Sequence, residues 1–138
     1  MSMVQFWTLS TVVMAACLSL GGCIKGSSAE IASRDDVSLA NTSQNDVAYS
    51  YGSIRKASGE NKRLRAELER RNAFTPEEWS RIDTGHIRVG DSLDLLYASW
   101  GQPFKYSSLQ SEFGESNLFI YDNSRVYLRN GRVTAIAQ

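Results

Sequence analysis

Histidine and cysteine, the side chains most often used for acid–base, nucleophilic and transition-metal chemistry near neutral pH, are few in this sequence. It holds one histidine, His86, and two cysteines, Cys17 and Cys23. His86, Asp91 and Asp94 lie close together in the chain and are the one combination that suggests a ligand set. A metal site needs three or four donors converging from a rigid frame, and these sit on a loop and a helix start. At a helix start, Asp91 and Asp94 have a simpler use, complementing the positive end of the helix dipole. No Ser-His-Asp or Cys-His arrangement can be assembled around a single histidine next to the turn residue Gly85. The sequence also has no CxxC pair and no glycine-rich phosphate loop. The expectation is a non-catalytic protein with no cofactor and no bound metal.

One thiol remains. Cys23 follows Leu18-Ser19-Leu20-Gly21-Gly22, and the stretch upstream, Met3 to Leu20, is uncharged and largely apolar. Leu-Gly-Gly-Cys at the end of such a segment resembles the lipobox of bacterial lipoproteins. The resemblance implies that residues 1–22 are a signal peptide, cleaved before Cys23. It also implies diacylglycerol on the Cys23 thiol and an acyl group on its amine. Each buried CH2 of such chains contributes about 0.8 kcal/mol, and stable anchoring takes more than one chain. Ile24, not aspartate, follows the cysteine. Within that family this implies the outer membrane, with the protein on its periplasmic face. Judged by length alone, residues 3–20 also suit an uncleaved transmembrane helix, which needs about 20 apolar residues. Gln5, Thr8, Ser10 and Thr11 dilute that segment, and the small residues before Cys23 suit a processing site better. No Lys or Arg precedes Lys25, so the usual basic start of a leader is missing. With the leader removed, Cys23 is the only cysteine, and no intramolecular disulfide can form.

Formal net charge is zero, which argues against nucleic acid as a partner. The charge is nevertheless segregated. Residues 54–72 carry Arg55, Lys56, Lys62, Arg63, Arg65, Arg70 and Arg71 against only Glu60, Glu67 and Glu69. The flanking segments are mildly acidic. Residues 23–53 are rich in Ser, Ala, Asn and Asp with no sustained apolar period. Such a stretch is expected to be a flexible, lipidated tether, because it offers too little apolar surface to offset its ordering entropy. Residues 54–73 are expected to form a basic helical arm whose only firm apolar positions are Leu64 and Leu68. Two readings of it stand. It is a solvated helix packed lightly on the domain, or it uses Arg63, Arg65, Arg70 and Arg71 to contact anionic lipid or an acidic partner.

Residues 74–138 carry the clearer signals. Thr75-Pro76-Glu77-Glu78 predicts a helix start with a capping box, proline at its first position, and a Phe74–Trp79 staple. That helix runs to about Asp83 and stops near Gly85. A second is predicted from Leu93 to Trp100, capped by Ser92 or Asp91 and ended by Gly101 and Pro103. Strands are predicted at Phe104–Leu109, Asn117–Tyr121, Arg125–Arg129 and Arg132–Ala137. Asn130-Gly131 predicts a two-residue hairpin. A regular hairpin there places Tyr127 opposite Thr134 and Val126 opposite Ala135, with Val126, Leu128, Val133 and Ala135 facing the core. The fold class is α+β: two short helices, then a three- to four-stranded antiparallel sheet, preceded by leader, tether and basic helix.

The run Ile87-Arg88-Val89-Gly90-Asp91-Ser92, with Leu96 and Trp100-Gly101-Gln102-Pro103, resembles the signature of the SmpA/OmlA (BamE-like) domain. Leu118-Phe119-Ile120-Tyr121 and Tyr127 to Val133 resemble the aromatic strand and Asn-Gly hairpin that end that domain. The similarity spans about residues 86–137 and implies two helices followed by a three-stranded antiparallel sheet. It also implies an outer-membrane lipoprotein that binds other envelope proteins, the β-barrel assembly machinery among them. Asp91 stands where the family pattern has methionine, which predicts a more exposed loop, and Trp100 replaces an aliphatic residue. The candidate partner surface is Tyr127 with Arg125, Arg129 and Arg132 around the hairpin. The alternative is a membrane-surface or self-associating lipoprotein working through the helix at 59–73.

Overall fold

A computed structural model describes residues 26–138. The leader 1–22 and the acylation candidate Cys23 lie outside the described residues. Among the described residues six helices precede a four-stranded sheet: α1 (Ser28–Ser33), α2 (Asp36–Ala40), α3 (Gln44–Ser58), α4 (Lys62–Arg70), α5 (Pro76–Thr84) and α6 (Leu93–Trp100). The strands are β1 (Lys105–Ser111), β2 (Gly114–Tyr121), β3 (Ser124–Arg129) and β4 (Arg132–Ala137), an antiparallel meander in chain order. The α+β class and the helix-then-sheet order are those expected.

Residues 28–53 are not a tether. Ser27, Asp35 and Ser43 each accept a hydrogen bond from the backbone N–H three residues on, at 3.2, 2.7 and 3.1 Å. The polar residues that suggested a linker therefore start α1, α2 and α3. Ile31, Leu39, Val47, Ala48 and Tyr51 of these helices are buried in the common core, whereas Val37 faces outward. Sparse apolar residues suffice because these five are covered almost completely.

Nor do residues 54–73 form a separate arm. Gly59, at φ +100°, breaks the segment into the end of α3 and the start of α4. Leu64 and Leu68 are fully buried. The α5 and α6 starts follow expectation: Thr75 and Glu78 form the capping box, and Phe74 meets Trp79 edge-on with ring centroids 5.2 Å apart. Trp100 finds its room at the margin of the core. Its Nε1–H donates to Gly85 O at 2.8 Å and its ring stands edge-on to Tyr121.

The α6 helix is buried along Leu95 to Ser99, between α3 and the inner face of the sheet. That face contributes Phe119, Tyr121, Val126, Leu128 and Val133 to the core. The last hairpin departs from the regular register. Leu128 pairs with Val133, but Tyr127 pairs with Ala135 and Val126 with Ile136, so Thr134 is bulged. Thr134 Oγ1 donates to Tyr127 O at 3.1 Å. The bulge turns Ile136 toward the core and leaves Ala135 exposed, the reverse of a regular hairpin.

Candidate partner-binding face of the sheet

The strands turn alternate side chains away from the helices, and no described element covers that outer face. Ser107 pairs with Leu118 and Leu118 with Tyr127; Lys105 pairs with Ile120 and Ile120 with Arg125; Ser116 pairs with Arg129. These pairs share the outer face with Leu109. Leu118 and Ile120 are half-buried by their neighbours, whereas Leu109 (67%) and Tyr127 (40%) stay exposed. Cations surround this apolar strip: Lys105, Arg125 and Arg129, with Arg132 paired opposite Arg129 across the hairpin. The face continues at Ile120 and Arg125 into an open cleft of about 370 Å³, whose lining includes Asp122, Asn123 and the C-terminal Gln138.

The cations of the two regions differ in how they are used. Arg34, Arg55, Arg63, Arg65, Arg70, Arg71, Arg81 and Arg88 each lie within 4.0 Å of a described carboxylate. Arg125, Arg129 and Arg132 have none among the described residues, and Arg132 donates only to Gly90 O, at 3.3 Å. The structure thus brings together the proposed partner-surface residues on one open face.

The four arginines of the supposed lipid-binding arm are occupied within the fold. Arg65 ties α4 to α5 and to the loop before α4 through Glu69 (3.0 Å), Asp83 (2.8 Å) and Glu60 (2.7 Å), and its guanidinium sits 4.4 Å above the Trp79 ring. Arg63 reaches Asp36 and the carbonyl of Ala32, and Arg71 reaches Glu67 and the carbonyl of Leu39. These two strap α1 and α2 onto α4. Arg70 pairs with Glu67 at 2.7 Å. The basic charge of residues 54–72 is answered largely by acids that are near in space.

Glu67 receives both Arg70 and Arg71, and their hydrogen bonds hold its carboxyl down from 4.5 to about 2. A folded-state pKa below the unfolded one adds stability that is fully present above the unfolded value. That stability is lost as pH falls from about 4.5 to about 2. Urea unfolding across this window is expected to show a declining midpoint, and Glu67→Gln should flatten that part of the decline. An unchanged slope in the variant would contradict this role for Glu67.

His86, Asp91 and Asp94 are not brought to one point. His86 Nδ1 lies 2.9 Å from Thr84 Oγ1. Asp94 accepts from the side-chain amides of Gln44 and Asn45 at 2.9 and 3.0 Å. Asp91 is buried, contrary to the exposed loop expected, and accepts from Arg81 Nη1 (2.7 Å) and the Arg88 N–H (2.7 Å). Among the described residues, no group of three or more His, Cys, Asp or Glu side chains is placed to hold a metal.

Sequence reasoning missed the apolar edge of the sheet. Phe104, Tyr106, Leu109 and Phe113 are 51–74% exposed along β1 and its turn. The signal was present in β1 itself, which has one charged residue and no proline. Compared with known proteins, the chain matches no family model, no curated protein and no solved structure.

Proposed function

We propose that this protein is an outer-membrane lipoprotein, anchored through Cys23, that acts as a non-catalytic accessory by binding other envelope proteins. Its outer sheet face is the contact surface, and the similarity to the SmpA/OmlA pattern makes the β-barrel assembly machinery the first partner to test. One observation carries the reading. Among the described residues Arg125, Arg129 and Arg132 lack carboxylate partners and border an uncovered apolar strip, while the eight helix-region arginines are paired internally. Arginine and tyrosine around a small apolar centre are the residue types that dominate binding energy at protein interfaces. Unpaired guanidiniums also favour partners that present carboxylates, and they speed the encounter.

The lipid-surface alternative draws less support, since Arg63, Arg65, Arg70 and Arg71 would have to leave internal partners before meeting a headgroup. The deciding experiment is photo-crosslinking in cells from position 127 or 129. Capture of barrel-assembly proteins is expected. Capture of lipid alone, or of no protein, would overturn the proposal. Reversing Arg125 and Arg129 to glutamate should abolish the same crosslinks without lowering the melting temperature, because neither charge has a carboxylate partner among the described residues to lose.

A further inference from the structure

The two edges of the sheet are treated differently. Along β4 the loop before α6 closes the edge. Gly90 N–H donates to Val133 O (2.7 Å), Val133 N–H to Asp91 O (2.8 Å) and Leu93 N–H to Gly131 O (3.0 Å). A bridge between Ser92 and Arg132 and the bulge at Thr134 complete the protection. Among the described residues nothing equivalent guards β1. It is seven residues long and unbulged, exposed at every position, with Lys105 as its only charge. Open edges of this kind are templates for another strand, and proteins that must avoid pairing blunt them.

Backbone alternation tells which groups of β1 point outward. Glu115 of β2 faces β3, since its N–H donates to Asn130 Oδ1 (3.1 Å) and its carbonyl accepts from Asn130 N–H (2.9 Å). Its neighbours Gly114, Ser116, Leu118 and Ile120 therefore face β1, where they meet Ser111, Leu109, Ser107 and Lys105. Tyr106, Ser108 and Gln110 are left with their N–H and C=O groups directed at solvent.

We infer that this edge pairs with the same edge of a second copy, β1 against β1, about a two-fold axis through Ser108. In that antiparallel register Ser108 meets Ser108, and Tyr106 meets Gln110 of the second copy in both directions. Every outward-facing donor of the three residues then has an acceptor, which makes the edge self-complementary in the way an isologous dimer requires. The side chains agree with the register. Ser107 lies beside Leu109, and Lys105 lies opposite Ser111 of the second copy, adjacent to its Glu112. The single base at the start of each strand thus meets the acidic turn of the other, and no like charges are opposed. The exposed Phe104 and Phe113 are brought together at both ends of the seam. The product is one eight-stranded sheet with both outer faces on the same side.

The test uses the full-length chain in density-matched detergent, with its oligomeric state read by sedimentation. The wild type is expected to be a concentration-dependent dimer. Ser108→Pro removes only outward-facing donors and spares the β1–β2 ladder, so dimerisation should weaken about 30-fold, the loss of two backbone hydrogen bonds. Ser108→Lys sets two ammonium groups on the axis and should also dissociate the dimer, with an unchanged circular dichroism spectrum. It therefore decides the matter should the proline variant misfold. Ser108→Cys should be captured as a dimer by a short bismaleimide, and Ser124→Cys should not. A wild type that stays monomeric at about 100 μM, far above the range of specific interfaces, would overturn the inference. So would a dimer indifferent to both substitutions at 108, or a β1 edge that captures only a different protein. Position 127 sits two strands from the seam, so the partner crosslinks expected there succeed or fail independently of this dimer.

Discussion

Alanine at position 52 is expected to cost the protein about 3 kcal/mol or more, the upper range for forcing atoms into a packed interior. A Cβ on Gly52 would lie 1.8 Å from the carbonyl oxygen of Tyr97 and 2.9 Å from its carbon. Both are backbone atoms of α6, so no rotamer change can make room. The closely packed α3 and α6 helices must separate. Separation would uncover Val47 and Tyr51 on one side and Leu96 on the other, all of them fully buried. Gly101 backs onto the same site, since a Cβ there would meet Gly52 C at 2.8 Å. Ser53→Ala is the matched control. The buried Ser53 Oγ has no hydrogen-bond partner among the described residues, and its loss should stay within about 0.5 kcal/mol. Thermal and urea unfolding read both variants. A wild-type midpoint for Gly52→Ala would mean that α3 does not cross α6 as described.

The second large effect is expected at the Arg81–Asp91 pair, whose side chains are only 13% and 9% exposed. Asp91→Met installs the residue of the SmpA/OmlA pattern, yet here it should destabilise by about 3–5 kcal/mol. It leaves a buried guanidinium without its counter-charge. It also strips the Arg88 N–H of its acceptor, and the Arg81 Nε already lacks one among the described residues. Adding Arg81→Met should restore most of the loss, because replacing both ions of a buried pair by apolar side chains is close to neutral. The informative quantity is the coupling between the two substitutions in a double-mutant cycle. Additive losses would show that Arg81 and Asp91 do not depend on one another.

These two sites also show where sequence reasoning reaches its limit. Gly52 sits in a stretch whose composition suggests a tether, and nothing local announces that a glycine there admits a neighbouring backbone. Asp91, read beside its neighbours, is a helix-start acid on an open loop; its partner ten residues away is known only once α5 lies against the loop. The arginines of 54–72 make the same point in reverse. Their count implies a basic surface, but Glu60, Glu67, Glu69, Asp36 and Asp83 converge on them in space. The hairpin register failed at one residue, because a bulge depends on what the strand must bury and not on its turn.

What the amino-acid order determines by itself is local: caps at Thr75 and Ser92, stops at Gly85 and Gly101, and the Asn130-Gly131 turn. Each is set by hydrogen bonds and dihedral preferences spanning three or four residues. The candidate face at Arg125, Tyr127 and Arg129 was legible for a related reason, the strict alternation of side chains along a strand. Tertiary structure alone decided that residues 28–58 complete the core, which charges are cancelled, and which sheet edge is left open. Those outcomes depend on burial and on pairs distant in sequence, where a single complete contact outweighs the composition of the segment that supplies it.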